Sequence, residues 1–160
     1  MNKQEIDWFV SGLVEAAGSR ELNDIIAHLG ILLRTVPAAS PLLHGGLARY
    51  VRTPSFEAIY LSDELPDEAR AFTIAHEIGH AILHDPCELS HVQQLYKTGE
   101  RESDASYFAT KLINLSIDPI EWEGYSTEQI AAAYGVREDA VLYIAKKEKA
   151  PPAATGGAEQ

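Results

Sequence analysis

The sequence ARAFTIAHEIGHAILH, residues 69–84, is the most informative part of this chain. It is apolar on nearly all sides apart from its histidines and its glutamate, which predicts a buried central helix. Pro66 and the acidic residues around it favour a helix start, and Asp85-Pro86 ends the pattern. We expect the rest of the fold to pack around this helix.

Within that stretch, His76, Glu77 and His80 form the pattern H-E-x-x-H. Residues four apart on a helix share one face, so both imidazoles can bind the same ion. Zinc commonly takes three protein ligands in catalytic sites, and manganese is a possible substitute. Glu77 follows His76 directly, where its carboxylate can reach the water that the ion activates without being a ligand itself. The pattern predicts a hydrolytic metal site with Glu77 as its general base.

A third ligand must come from another element. After a loop around Cys87 to Thr98, a second helix is predicted from about Glu100 to Leu115, and ERESD at its start, residues 100–104, offers candidates. Glu102 is the preferred ligand, because Ala105 and Ala109 follow it at helical spacing and let its helix pack closely. Asp104 is the alternative, although on a regular helix it points about 160° away from Glu102, so both cannot face the ion.

Four further side chains are candidates for supporting roles. His84 continues the spacing of His76 and His80, but it lies too far along the helix for the same ion, so we expect it beside the ligands or at the helix end. His91, Tyr96 and Tyr107 could each donate a hydrogen bond to a developing oxyanion. His91 is also a weaker ligand candidate.

Composition limits the alternatives. The 160 residues include 13 Lys and Arg against 24 Asp and Glu, a net charge of −11, which disfavours a large phosphate-binding surface. Cys87 is the only cysteine, so neither a disulfide within the chain nor a cysteine-rich zinc cluster is expected. No stretch resembles a signal peptide or a membrane span, which predicts a cytoplasmic protein without membrane partners.

The chain as a whole predicts an α+β fold, a mainly helical, zincin-like domain over residues 1–145. Two helices precede the β-favouring runs ARYVRT and AIYL, which suggest a small antiparallel sheet. A helix pair resembling a helix-turn-helix unit is expected at about residues 120–145, opened by the capping pattern STEQ. Residues 146–160 lack apolar periodicity and are predicted to be a disordered tail.

Several of these stretches resemble the ImmA/IrrE family of metallopeptidases. The resemblance implies a gluzincin-like zinc protease. The similarity runs from EAIYL through residues 69–84 to ESDASYFATKLI, and IAAAYGVREDAV resembles that family's carboxyl-terminal helix pair. The family pattern Glu-x-x-Ala-x-x-Phe-Ala matches Glu102, Ala105, Phe108 and Ala109, so the resemblance also makes Glu102 the third ligand. Ser106 stands where the family usually has Asn or Asp. The resemblance implies a cytosolic protease that cleaves a helix-turn-helix repressor or antitoxin.

Two other functions compete with proteolysis. The helix, glycine turn and helix of residues 130–145 could bind DNA, yet Arg137 is followed by Glu138 and Asp139, which would repel phosphates. A metal-bound regulator that binds a repressor without turnover is the other alternative. The presence of Glu77 argues against it.

Overall fold

The computed structural model describes residues 1–84 and 91–148, with the backbone alone for residues 91–98 and 146–148. The helices in this part are α1 (Lys3–Ala17), α2 (Leu22–Leu29), α3 (Asp67–Leu83), α4 (His91–Leu112), α5 (Thr127–Tyr134) and α6 (Glu138–Glu148), and the strands are β1 (Leu32–Val36), β2 (Ala48–Arg52) and β3 (Glu57–Ser62). The predicted α+β class is confirmed. Helix α6 continues to Glu148, past residue 145, and residues 149–160 of the predicted tail lie outside the described residues.

The three strands form one mixed sheet in the order β1-β3-β2. Strand β2 pairs antiparallel with β3, as the sequence predicted, and Tyr50 lies opposite Ile59. Strand β1 pairs parallel with β3, with Leu32 beside Ala58, so the expectation of a purely antiparallel sheet was wrong. The sequence LLRTV of β1 has no alternating apolar pattern, and its burial does not alternate either. Strand β2 is left at one edge of the sheet, where it contacts α3.

Capping boxes begin two of the helices. Asn2 and Glu5 form a capping box at the start of α1, and Ser126 and Gln129 form another at the start of α5. Helix α4 differs from expectation, because it begins at His91 instead of near Glu100 and ends at Leu112. His91 is therefore the first residue of a helix and not part of a loop.

Helices α3 and α4 pack closely at the centre of the fold. A Cβ built on Gly79 would lie 3.1 Å from the Cα of Ala105 and 3.2 Å from the ring of Phe108, so the helices meet where both carry small residues. Ala105, Phe108 and Ala109 are completely buried there. Although α3 is the most buried helix, none in the described part of the chain is long and apolar enough to cross a membrane.

The helix pair α5–α6 docks onto this centre. Gly135 joins the two helices with φ of 63°, and a Cβ on it would lie 2.7 Å from the Cα of Ala69 in α3. The hydroxyl of Tyr143 in α6 lies 2.6 Å from that of Ser103 in α4. These contacts tie the helix pair to both central helices, with Gly135 packed against α3.

Candidate metal centre

Three predicted ligands converge where α3 meets α4. Nε2 of His76 lies 3.1 Å from Oε2 of Glu102, Nε2 of His80 lies 3.3 Å from Oε1, and the two imidazole nitrogens are 3.1 Å apart. One ligand atom from each residue falls within 4.8 Å of the others. Two imidazole nitrogens and one carboxylate are a donor set used by catalytic zinc, so the group could bind a metal ion.

The electrostatic surroundings keep the third member of this group charged. Hydrogen bonds from His76 and His80 hold the pKa of the Glu102 carboxyl well below its usual range. Glu102 is therefore a carboxylate throughout the neutral range. An ionised carboxylate is the form that a metal ligand requires.

A buried hydroxyl supports the ring of His76. Oγ of Ser106, which is fully buried in α4, lies 3.3 Å from Nδ1 of His76. With the ring proton on Nε2, as the hydrogen bond to Glu102 requires, the Ser106 hydroxyl donates to Nδ1. With the proton on Nδ1, the ring donates to Ser106 and the lone pair of Nε2 is available to an ion. Ser106 can therefore hold the ring of His76 in either tautomer.

Glu77 lies beside the three ligands without joining them. Its side chain accepts a hydrogen bond of 2.6 Å from the backbone amide of Tyr50 in β2, and Glu77 is only 9% exposed. Burial raises the pKa of the Glu77 carboxyl, opposed by the neighbouring His80 and His76 and by the Tyr50 amide. A carboxylate with a raised pKa, close to a group that could bind a cation, is suited to accepting a proton.

Side chains of the sheet brace the strand that carries this amide. The Tyr50 hydroxyl donates to Oε2 of Glu57 at 2.7 Å, and Nε of Arg52 donates to Oε1 of Glu57 at 2.9 Å. Burial and the bond to Glu57 raise the pKa of Tyr50 to about 12. Arg52 also donates to the carbonyl of Ala81 at 3.3 Å, which ties β2 to α3.

His84 contacts the ligand group from one side. Its Nδ1 lies 3.0 Å from Nδ1 of His80, and burial lowers the pKa of His84 to about 3. Its buried Nε2 has no hydrogen-bond partner among the described residues. The neutral ring can therefore orient His80, while the ligand group itself does not include His84.

The other candidates from the sequence lie elsewhere. Oδ2 of Asp104 pairs with the terminal ammonium of Met1 at 3.1 Å, so the structure brings Glu102 and not Asp104 to the histidines. The Tyr107 hydroxyl donates to Asp7 at 3.0 Å in a separate cleft, away from Glu77. The side chains of His91 and Tyr96 lie outside the described residues.

One residue at the site had no signal in its local sequence. Nη1 of Arg137, in the turn before α6, donates to Oε2 of Glu102 at 3.3 Å. Only the docking of the helix pair makes this contact, which joins residues 35 positions apart. The ligand group opens into a cleft of about 380 Å³, lined by Ala48, Arg49, Tyr50, Glu77, His80, His84, Arg101 and Glu102.

Comparison with known proteins gives one family. A family model described as Peptidase_M78, IrrE N-terminal-like domain, matches residues 27–146, well over half of the chain. The matched range contains every residue of the cleft and also Arg137. Among curated proteins there is no significant match.

Proposed function

The chain belongs to the Peptidase_M78 family, the IrrE N-terminal-like domains, and from this we propose that it is a zinc-dependent endopeptidase. The observation that carries the proposal is the convergence of His76, His80 and Glu102 beside the buried carboxylate of Glu77. Family membership supports a metallopeptidase, and the donor set supports zinc, with manganese as a possible substitute.

His76, His80 and Glu102 would hold the ion through the atoms that already face one another. A bound zinc ion supplies Lewis-acid chemistry, because it polarises a carbonyl and lets water at the site ionise near neutral pH. Ser106 orients the first imidazole, and His84 orients the second. These contacts reduce the rearrangement that binding would require.

Glu77 would carry the proton transfers. Its Oε2 is occupied by the Tyr50 amide, which leaves Oε1 to take a proton from the attacking water. The same oxygen would then give that proton to the leaving amine nitrogen as the peptide bond breaks. Burial helps both steps, since a raised carboxyl pKa makes Glu77 a better proton acceptor and keeps its acid form accessible.

The substrate we propose is a cytosolic protein, a helix-turn-helix transcriptional repressor or an antitoxin. This part of the proposal comes from the resemblance to ImmA/IrrE peptidases. We place the reaction in the cytoplasm for the same reason.

The test is cleavage of a repressor encoded beside this protein's gene. The zinc-loaded protein and its Glu77→Gln variant are incubated with the repressor, and the products are identified by mass spectrometry. We expect one or a few internal cuts with the wild type and none with the variant at equal zinc content. If neither form cuts but both release the repressor from its operator, the protein is a metal-bound regulator without turnover.

A further inference from the structure

The cleft beside the ligand group is rich in arginine, although the protein as a whole is acidic. Arg49 of β2 and Arg101 of α4 line the cleft, and Arg137 reaches Glu102 from the turn before α6. The whole chain carries a net charge of −11 and contains only seven arginines. Three of these seven therefore gather from three separate elements around one opening.

The charges of the cleft do not cancel once an ion is bound. Among the described residues that line it, the acidic ones are Glu77 and Glu102. Two positive charges from a divalent ion would offset these two carboxylates. The guanidinium of Arg49, which donates to the neutral carbonyl of Leu42, would then keep its charge, and that of Arg137 would be shared with Asp139 at 3.4 Å. A cleft with one sign of charge attracts ligands of the opposite sign and speeds their association.

Two of these guanidinium groups are held only loosely. Arg137 is 49% exposed in its side chain, and its contacts with Glu102 and Asp139 are 3.3 to 3.4 Å long. Arg49 donates to the Leu42 carbonyl at 3.5 Å. These distances exceed those of strong charge-assisted hydrogen bonds, so an incoming carboxylate can replace or supplement the present contacts.

We propose that this cleft selects peptide segments with an aspartate or glutamate close to the scissile bond, and that Arg49 and Arg137 are the residues that recognise it. The inference rests on the proposed peptidase function and specifies its substrate class. A guanidinium group can bind a carboxylate through two parallel hydrogen bonds, and this paired geometry favours Asp and Glu side chains over their amides. A cleft of about 380 Å³ has room for a short stretch of peptide.

The same arginines are less suited to nucleic acid. A polyanion would also extend beyond the cleft over a protein that carries 24 acidic residues against 13 basic ones. A peptide with one acidic side chain places its charge in the cleft alone. The charge distribution therefore favours the peptide.

Binding can be measured without turnover by using the full-length, zinc-loaded Glu77→Gln protein. Fluorescein-labelled decapeptide pools, randomised except for one central position fixed as Asp, Glu, Asn, Gln or Lys, are titrated and followed by anisotropy. We expect the Asp and Glu pools to bind about tenfold more tightly than the Asn and Gln pools, with the difference shrinking as salt is raised.

Substitutions then assign the preference to particular residues. Arg49→Gln and Arg137→Gln should each remove most of the tenfold difference, and Arg49→Glu should shift the preference towards the Lys pool. Arg34→Gln is the matched control, since Arg34 is exposed on β1, at the opposite edge of the sheet, and its loss should change nothing. Zinc content is measured for every variant, because Arg137 contacts Glu102.

The proposal is overturned if acidic and amide pools bind equally, if the Lys pool binds best, if no pool binds, or if the arginine variants keep the wild-type preference. It is also overturned if a labelled single-stranded oligonucleotide binds more tightly than the acidic pools through the same arginines. A preference for acidic pools without any cleavage by the wild-type protein would reject the peptidase and leave the recognition of acidic segments standing.

Discussion

The backbone amide of Tyr50 donates a hydrogen bond of 2.6 Å to Oε2 of Glu77. This contact links the edge strand β2 to helix α3 and leaves one carboxylate oxygen for chemistry. A glutamine could accept the same hydrogen bond through its amide oxygen, but its other terminal atom would be an NH₂ group. Tyr50 therefore makes Glu77→Gln a substitution that preserves the position of the side chain and removes its ability to accept a proton.

We expect Glu77→Gln to lower the rate of peptide hydrolysis by about 10²- to 10⁴-fold, the usual range for losing a general base. Zinc content, measured by mass spectrometry on the same sample, should equal that of the wild type. Glu68→Gln is the control, because Glu68 is exposed in the first turn of the same helix and does not belong to the ligand group. Cleavage at the wild-type rate by the zinc-loaded Glu77→Gln protein would show that Glu77 is not the base.

Glu102→Gln should weaken zinc binding by at least about tenfold, since even the loss of a residue that only orients a ligand typically costs that much. Asp104→Asn, two residues away, should leave zinc affinity unchanged, because Asp104 pairs with the amino terminus. The zinc affinity of each variant is measured by competition with a fluorescent zinc chelator. The opposite result, with affinity lost only in Asp104→Asn, would identify Asp104 as the ligand.

The turn that docks the helix pair should be sensitive to a single methyl group. Gly135→Ala is expected to cost about 2 to 4 kcal/mol of unfolding free energy, from the strain of a positive φ and from overlap with the backbone of Ala69. Gly124→Ala separates the two effects, since Gly124 also has a positive φ but has nothing within 4 Å of its added Cβ. In urea unfolding, Gly124→Ala should lose only about 1 kcal/mol of unfolding free energy. Equal losses would mean that the close contact with α3 does not form.

His84 should make the metal-free protein sensitive to acid. Burial lowers the pKa of folded His84 to about 3, against about 6.5 in the unfolded chain, so the unfolded state binds more protons between these values. Neutral His84 therefore makes its full contribution to the free energy of unfolding above about pH 6.5, and this contribution is lost as the pH falls towards 3. His84→Gln should therefore show a smaller fall in melting temperature between pH 7 and pH 4.

The exposed His28 on α2 provides the control for that measurement. His28→Gln should retain the wild-type dependence of melting temperature on pH. A His84→Gln protein that loses stability with acid as steeply as the wild type would remove His84 as the cause.

We expect no specific DNA binding by the isolated protein. In a helix-turn-helix unit the start of the second helix enters the major groove, whereas here Gly135 is packed on α3 and Arg137 contacts Glu102. A gel-shift assay at physiological salt should show no sub-micromolar complex with operator DNA. A tight, sequence-dependent complex would require the helix pair to leave its docked position.

The parts of this molecule that were predictable depend on short-range order in the sequence. Helix α3 and the pairing of His76 with His80 follow from periodicity and a spacing of four residues. The small residues Ala105 and Ala109 also indicated which face of the next helix packs inward, and Glu102 lies on that side. Each of these inferences compares residues that lie within one or two turns of the same helix.

The features that were missed depend on contacts between distant residues. Strand β1 owes its conformation to pairing with β3, and its own five residues do not alternate. The bond from Tyr50 to Glu77 comes from a backbone amide, which every residue except proline carries, so no side chain indicates it. In the sequence Arg137 marks only the start of the second helix of a possible helix-turn-helix unit, because the folded chain is what brings it beside Glu102.

The close crossing of α3 and α4 at Gly79 also bears on which ion the site accepts. Two ligands lie on one helix and the third on the other, so the interhelical distance limits how far the donor atoms can spread. A side chain at Gly79 would require its neighbours to move by a few tenths of an ångström. That is about the difference between zinc-to-oxygen distances of about 2.0 to 2.2 Å and calcium-to-oxygen distances of about 2.3 to 2.6 Å. We therefore expect steric contact between the two helices, together with the donor atoms, to limit the radius of an ion that this group could bind.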